Sequence, residues 1–159
     1  MNDLLIDTNS LILYILGTVN PEYFADNRKH DRISAFSKKE FDFLCSIIAS
    51  HQRLVSSPNV WTEVDNLCTN YIHGDDKYRY IRIMNSLISN SFEKYLETAT
   101  VLTDYECFYR IGVTDSILLK LAQECKTLVT ADSKLSDSAH ALGINVVDLK
   151  AIATNNIFN

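Results

Sequence analysis

Glycine and proline are scarce in this sequence, 4 and 2 among 159 residues, and no low-complexity run or internal repeat is visible. That scarcity excludes fibrous, repeat and linker-rich architectures, and the length suits one domain, expected over 1–159, with a core of its own. Long apolar runs are missing too: no segment approaches the roughly 20 apolar residues of a membrane span. The N-terminal stretch has no basic region and carries Asp3 and Asp7 among its apolar residues. It does not read as a signal peptide, and a cytoplasmic location without membrane attachment is expected. Cys45, Cys68, Cys107 and Cys125 form no CxxC pair, which reads as free buried thiols in a reducing compartment. His30, His51, His73 and His140 are scattered without an HExxH spacing, so the usual zinc sites are excluded. A basic excess is lacking as well. The net charge is −5, from 20 acidic against 15 basic residues, which argues against a passive nucleic-acid binder. Setting four carboxylates aside as cation ligands leaves 16 against 15, a nearly neutral remainder.

What is present alternates. Residues 3–6 read as a short buried strand and 9–16 as a helix ended by Gly17. The polar stretch 17–37 reads as a long, partly helical excursion. An amphipathic helix is expected over 37–50, then the strand RLVSS at 53–57. Ser57-Pro58 is a cap followed by a first-turn proline, a strong helix start. The helix after it carries Val60, Trp61, Val64, Leu67, Cys68 and Tyr71 at helical spacing. GDD at 74–76 opens another, with Tyr80, Ile83, Met84, Leu87 and Ile88 facing inward. YLETATVL at 95–102 holds a weak strand pattern, and 103–112 a short helix or turn closed by Gly112. The rest reads as a helix over 114–125, a strand over 127–131, a helix over 136–143 and a strand over 144–149. Strands alternating with helices imply parallel pairing and an α/β fold, a three-layer α/β/α sandwich around a central parallel sheet.

In such sheets sites gather beyond the carboxyl ends of the strands. Asp7 ends the first strand, Asp132 follows TLVTA, Asp115 opens the helix before that strand, and Glu63 lies inside the helix after the second strand. Asp7 and Asp115 fit equally well as helix caps, Thr114 can cap in place of Asp115, and Asp132 suits an ordinary turn. Glu63 sits too deep in its helix to cap it. Carboxylates gathered together repel unless cations intervene. An Asp/Glu cluster without His or Cys favours Mg²⁺ or Mn²⁺ acting on phosphate esters.

The segments LLIDTNSLI, WTEV, GVTDSILLKLA and LVTADSKL followed by LGINVVDL resemble, in that order, those of the PIN domain. The resemblance implies a parallel-sheet sandwich and metal-dependent hydrolysis of RNA. It assigns Asp7, Glu63, Asp115 and Asp132 as catalytic, metal-binding acids for one or two Mg²⁺ or Mn²⁺ ions, with Thr8, Asn9 and Thr130 as supporting polar groups. It further implies a VapC-like toxin neutralised by a protein antitoxin, and a homodimer. The excursion at 17–37 is longer than compact toxins of this kind carry.

Lys38, Lys39, Arg79 and Arg82 are candidates for RNA contact, alongside Arg28, Lys29, Arg32 and Lys77, with solvated helix faces as the alternative for each. Tyr78 offers a stacking surface, whereas Tyr80 has the spacing of a core residue. Three other readings compete. A catalytically silent binding module of this fold would be expected to lose an acid, and all four are kept. A haloacid-dehalogenase-like phosphatase needs a second Asp where Asn9 stands, and a phosphotransfer receiver needs a Lys at the end of its last strand, one position before Lys150.

Overall fold

The structure is a computed structural model that describes residues 2–25, 30–102, 105–125 and 127–155. Arg28, Lys29 and the start of the 103–112 segment lie outside the described residues, as does the side chain of Cys107. Five strands form one wholly parallel sheet: β1 (Asp3–Ile6), β2 (Arg53–Ser56), β3 (Phe92–Glu93), β4 (Thr127–Thr130) and β5 (Val146–Asp148), in the order β3-β2-β1-β4-β5. β1 and β4 are buried along their whole length, the mark of central strands covered on both faces. Helices provide that cover, and the molecule is a three-layer α/β/α sandwich.

Local signals explain most boundaries. Helix α1 (Thr8–Val19) starts at the Asp7 cap. Helix α2 (Lys38–Ser50) has a full capping box, in which Glu40 accepts from the Ser37 backbone N–H at 2.7 Å. Helix α3 (Pro58–Cys68) takes Ser57 as its cap and Pro58 at its first position. Helices α4 (Gly74–Asn90), α5 (Thr98–Val101), α6 (Tyr105–Ala122), α7 (Ser133–Ala141) and α8 (Leu149–Asn155) complete the chain. Among the described residues no helix is long and apolar enough to cross a membrane.

Several expectations need correction. Gly17 does not end α1; it lies inside it. A Cβ there would stand 2.5 Å from the Phe41 ring, so the glycine lets α1 and α2 approach closely. The strand expected within 95–102 is the helix α5; the edge strand lies earlier, where Phe92 and Glu93 pair with Val55 and Ser56. α7 starts three residues before the expected 136, because Asp132 caps it. On α4, Tyr80 and Met84 are buried as expected, but Ile88 is exposed.

The described residues of the excursion are tied to the rest of the fold. It holds two 3₁₀ turns, Pro21–Phe24 and Asp31–Ile33. Tyr23 Oη and Asn20 Nδ2 both donate to Asp76 Oδ2 in the first turn of α4, at 2.7 and 3.0 Å. Ile33 and Phe36 enter the core. The described cysteines, Cys45, Cys68 and Cys125, are free. Burial pushes all three thiols up, Cys68 to about 12; Cys68 and Cys125 are core groups, and Cys45 is half-buried on α2.

Candidate active site

From β1 the chain moves one way across the sheet to β2 and β3, and the other way to β4 and β5. The direction therefore switches at β1 and β4, and a crevice opens beyond their carboxyl ends. Asp7 stands at its floor. Its backbone N–H donates to Val129 O at 3.0 Å, continuing the β1–β4 ladder. Its Oδ1 accepts from Ser10 N–H at 2.7 Å, while Oδ2 accepts from Thr130 Oγ1 at 2.5 Å and Ala131 N–H at 3.0 Å. Burial raises the Asp7 pKa, and these donors act against it.

Thr130 links two acids. While donating to Asp7, its hydroxyl accepts from Asp132 N–H at 2.9 Å. The Asp132 carboxylate caps α7, with Oδ1 accepting from Lys134 and Leu135 N–H at 2.8 and 3.0 Å. The capping and turn readings of Asp7 and Asp132 therefore hold alongside a place in the crevice. Their helices also direct partial positive charge toward the acids.

Glu63 is half-buried on α3, and hydroxyls from two other helices hold it. Thr8 donates to Oε2 at 2.7 Å and Thr114 to Oε1 at 2.6 Å. The Asp115 carboxylate accepts no hydrogen bond from the described residues. Burial, then the charges of Asp7, Asp132 and Glu63, push its pKa up to about 7. That is the repulsion expected of crowded carboxylates.

All four acids line one cleft of about 510 Å³, together with Thr8, Asn9, Asn66 and Thr114 and an apolar wall of Leu67, Ile111 and Val113. Gly112 sits in that wall with φ 83° and ψ 178°, breaking α6 into two helical pieces. Thr114, read from sequence only as a cap, is instead a ligand of Glu63. Asn66, three residues after Glu63 and so on the same helix face, carried a spacing signal that the reading passed over.

Among the described residues no Lys or Arg lines the cleft. Arg79 and Arg82 share a separate hollow with Thr18 near the far end of α1. Lys38 and Lys39 start α2, close to Phe41, which abuts Gly17. At about 1.5 Å per residue, that end of α1 lies roughly 15 Å from Asp7. Lys38 pairs with Asp42 at 2.7 Å. Asp76 takes Arg79 at 3.3 Å.

No protein-family model matches the chain, and no curated protein matches it in sequence. Chemistry must therefore be argued from the cleft. Among the described residues no three His, Cys, Asp or Glu side chains are gathered closely enough to grip a metal ion. Zinc demands such a closed set. Mg²⁺ does not: it keeps several waters and takes one or two carboxylates, completed by substrate phosphate. The all-oxygen donors and the unrelieved charge around Asp115 fit an ion of that kind.

Proposed function

We propose that this chain is a metal-dependent endoribonuclease of the PIN type. The observation that carries the reading is the convergence of Asp7, Glu63, Asp115 and Asp132, far apart in sequence, on one cleft at the switch point of a parallel sheet. In this reading the four acids would hold one or two Mg²⁺ or Mn²⁺ ions, each completed by water and substrate phosphate. A bound ion supplies a water of lowered pKa and neutralises charge on the phosphodiester. Asp7, fixed by three donors, gives the cleft an immobile centre. Thr8 and Thr130 orient Glu63 and Asp7, and Asn9 lines the cleft where it can reach a phosphate oxygen. The wall of Leu67, Ile111 and Val113 gives the sugar–base side an apolar surface. Water attacks phosphorus in line, the bond to the 3′ oxygen breaks, and the products carry 5′-phosphate and 3′-hydroxyl ends.

The biological part of the proposal is a toxin of a toxin–antitoxin pair, acting in the cytoplasm, able to form a homodimer and silenced by a protein whose tail enters the cleft. It rests on the sequence resemblance. A catalytically silent RNA- or protein-binding module is the second reading, favoured by the lack, among the described residues, of three acids close enough to share one ion; a non-toxin RNA-processing nuclease would use the same cleft.

Cleavage of a mixed RNA pool by the purified protein, with MgCl₂, MnCl₂ or EDTA, tests the proposal. Asp115→Asn is the control of choice, because Asp115 accepts no hydrogen bond that an amide would spoil. Metal-dependent cutting by the wild type and none by the variant is the expected result. A folded protein that cuts in no metal would overturn the nuclease and leave the binding module.

A further inference from the structure

The four acids are not held alike. Asp7 and Asp132 have short side chains pinned by backbone N–H groups, which hold whatever the neighbouring side chains are. Glu63 has a longer, more freely rotating side chain, and ordering it costs more entropy. It accepts no backbone bond among those found at the cleft. Among the described residues two hydroxyls fix it, Thr8 from α1 and Thr114 from α6. Each Glu63 oxygen therefore gives one lone pair to a threonine and keeps the other for the cleft.

Thr8 follows Asp7 directly, so the cap of α1 sets its place. Thr114 is placed by a different device. Two residues before it, Gly112 takes φ 83° and ψ 178°, a backbone region essentially reserved for glycine. The second piece of α6 restarts after this break, and Gly112, Val113, Thr114 and Asp115 all line the cleft. Among the described residues the Asp115 carboxylate has no hydrogen bond, so the side-chain tie of this turn to α3 is made by the residue beside it.

We propose that Thr114 is a positioning residue for two acids at once. Its hydroxyl holds Glu63 in place, and the same bond ties the restarted turn of α6, and with it Asp115, to α3. Loss of the hydroxyl frees Glu63 Oε1 and lets the Asp115 turn move away from α3. The candidate RNA-contact residues Lys38, Lys39, Arg79 and Arg82 lie outside the cleft lining and are not touched by either change. This inference rests on the nuclease reading of the same cleft.

The test compares Thr114→Val, which keeps the shape and lacks the hydroxyl, with Thr114→Ser, which keeps the hydroxyl. The first readout uses no RNA: the MgCl₂ and MnCl₂ concentrations that give half of the metal-induced rise in melting temperature. The second is kcat and KM on a cleaved RNA. Outer groups that orient metal ligands typically matter by 10- to 100-fold. For Val the half-point should rise by roughly 10-fold or more and kcat should fall by about as much, while KM changes by less than about threefold. Ser should recover most of both.

A Val variant with wild-type half-point and kcat overturns the proposal, and so does a Ser variant no better than Val, which would mark the bond as ordinary helix packing. Should Val not fold, Thr114→Ala supplies the hydroxyl-free comparison. A wild type that neither cuts RNA nor responds to metal sinks the nuclease reading and this inference with it. A wild type that cuts, beside an unaffected Val variant, sinks the inference alone.

Discussion

Removing a charge from the cleft should stabilise the protein when metal is withheld. Asp115 is the residue to change, since its pKa lies near 7 rather than at the usual 3.8. Folded Asp115 keeps its proton in that window while the unfolded chain releases it. The folded state thus binds more protons there, and stability falls as pH rises from about 4 to about 7. The full interval corresponds to about 4 kcal/mol at about 1.4 kcal/mol per pH unit. The carboxylate still partly faces the cleft, and solvent screening brings this to about 2 kcal/mol. In EDTA at about pH 8.5, Asp115→Asn should therefore melt about 4–8 °C above the wild type. At about pH 5.5, where wild-type Asp115 is mostly protonated, the gap should shrink to roughly half. His30 works in the opposite direction. Burial lowers its pKa, so its contribution is present above about pH 6.5 and fades as pH falls. Both proteins carry His30, and their difference at each pH cancels it. Adding MgCl₂ should raise the wild type more than the variant. An Asn variant that melts at or below the wild type at high pH in EDTA, or a gap that fails to narrow on acidification, would refute the account of a strained acid cluster.

Three further outcomes follow from the geometry. Asp7→Asn should melt lower than Asp115→Asn in EDTA by about 1–3 kcal/mol, because an amide nitrogen must face either Ser10 N–H or the Thr130–Ala131 donors; equal melting would show that the buried bonds are replaceable. Gly17→Ala should lower the urea midpoint despite a better helix propensity, since overpacking against Phe41 costs about 1–3 kcal/mol. Phe41→Leu should rescue it, and no rescue would place the strain elsewhere. Gly112→Ala meets no atom within 4 Å and should still cost about 1–3 kcal/mol through backbone strain alone. Asn at 112 should do no better, because its ψ of 178° is not the left-handed helical region that Asn tolerates; a well-tolerated Asn would refute that.

The parts of this fold that were legible in the sequence are those fixed by side chains. β1, β2 and β4 are apolar runs stopped by a cap or a carboxylate, and Ser57-Pro58 marks a helix start that any fold would respect. β3 was misplaced because its pairing is made by the backbones of two exposed residues, Phe92 and Glu93, at a sheet edge. Nothing in their side chains marks them as strand, while the weak alternation of 95–102 imitated one. Gly17 misled for a related reason. A glycine that ends a helix and one that admits a neighbouring ring look the same until the neighbour is known. α8 was not foreseen at all: Asp148 caps it, and the reading spent that residue on the strand before it. Acid type and position relative to the strands singled out four carboxylates that the fold brings to one cleft. The hydroxyls around Glu63 were legible only in part, because Thr114 reaches it across 51 positions of sequence.

The central place of β1 also has a consequence in time. Its partner β4 arrives late, and the bond from Thr130 to Asp7 closes across 123 positions. At about 5–20 residues per second of synthesis, the ribosome needs roughly 6–25 s to deliver the second half of that contact after the first. Until then Asp7 lacks Thr130 and Ala131, Asp132 does not exist, and β1 waits with one edge bare. If the cleft performs the nuclease chemistry proposed above, the protein is harmless to the ribosome and messenger that are producing it, because that chemistry cannot begin before β4 and Asp132 have been made.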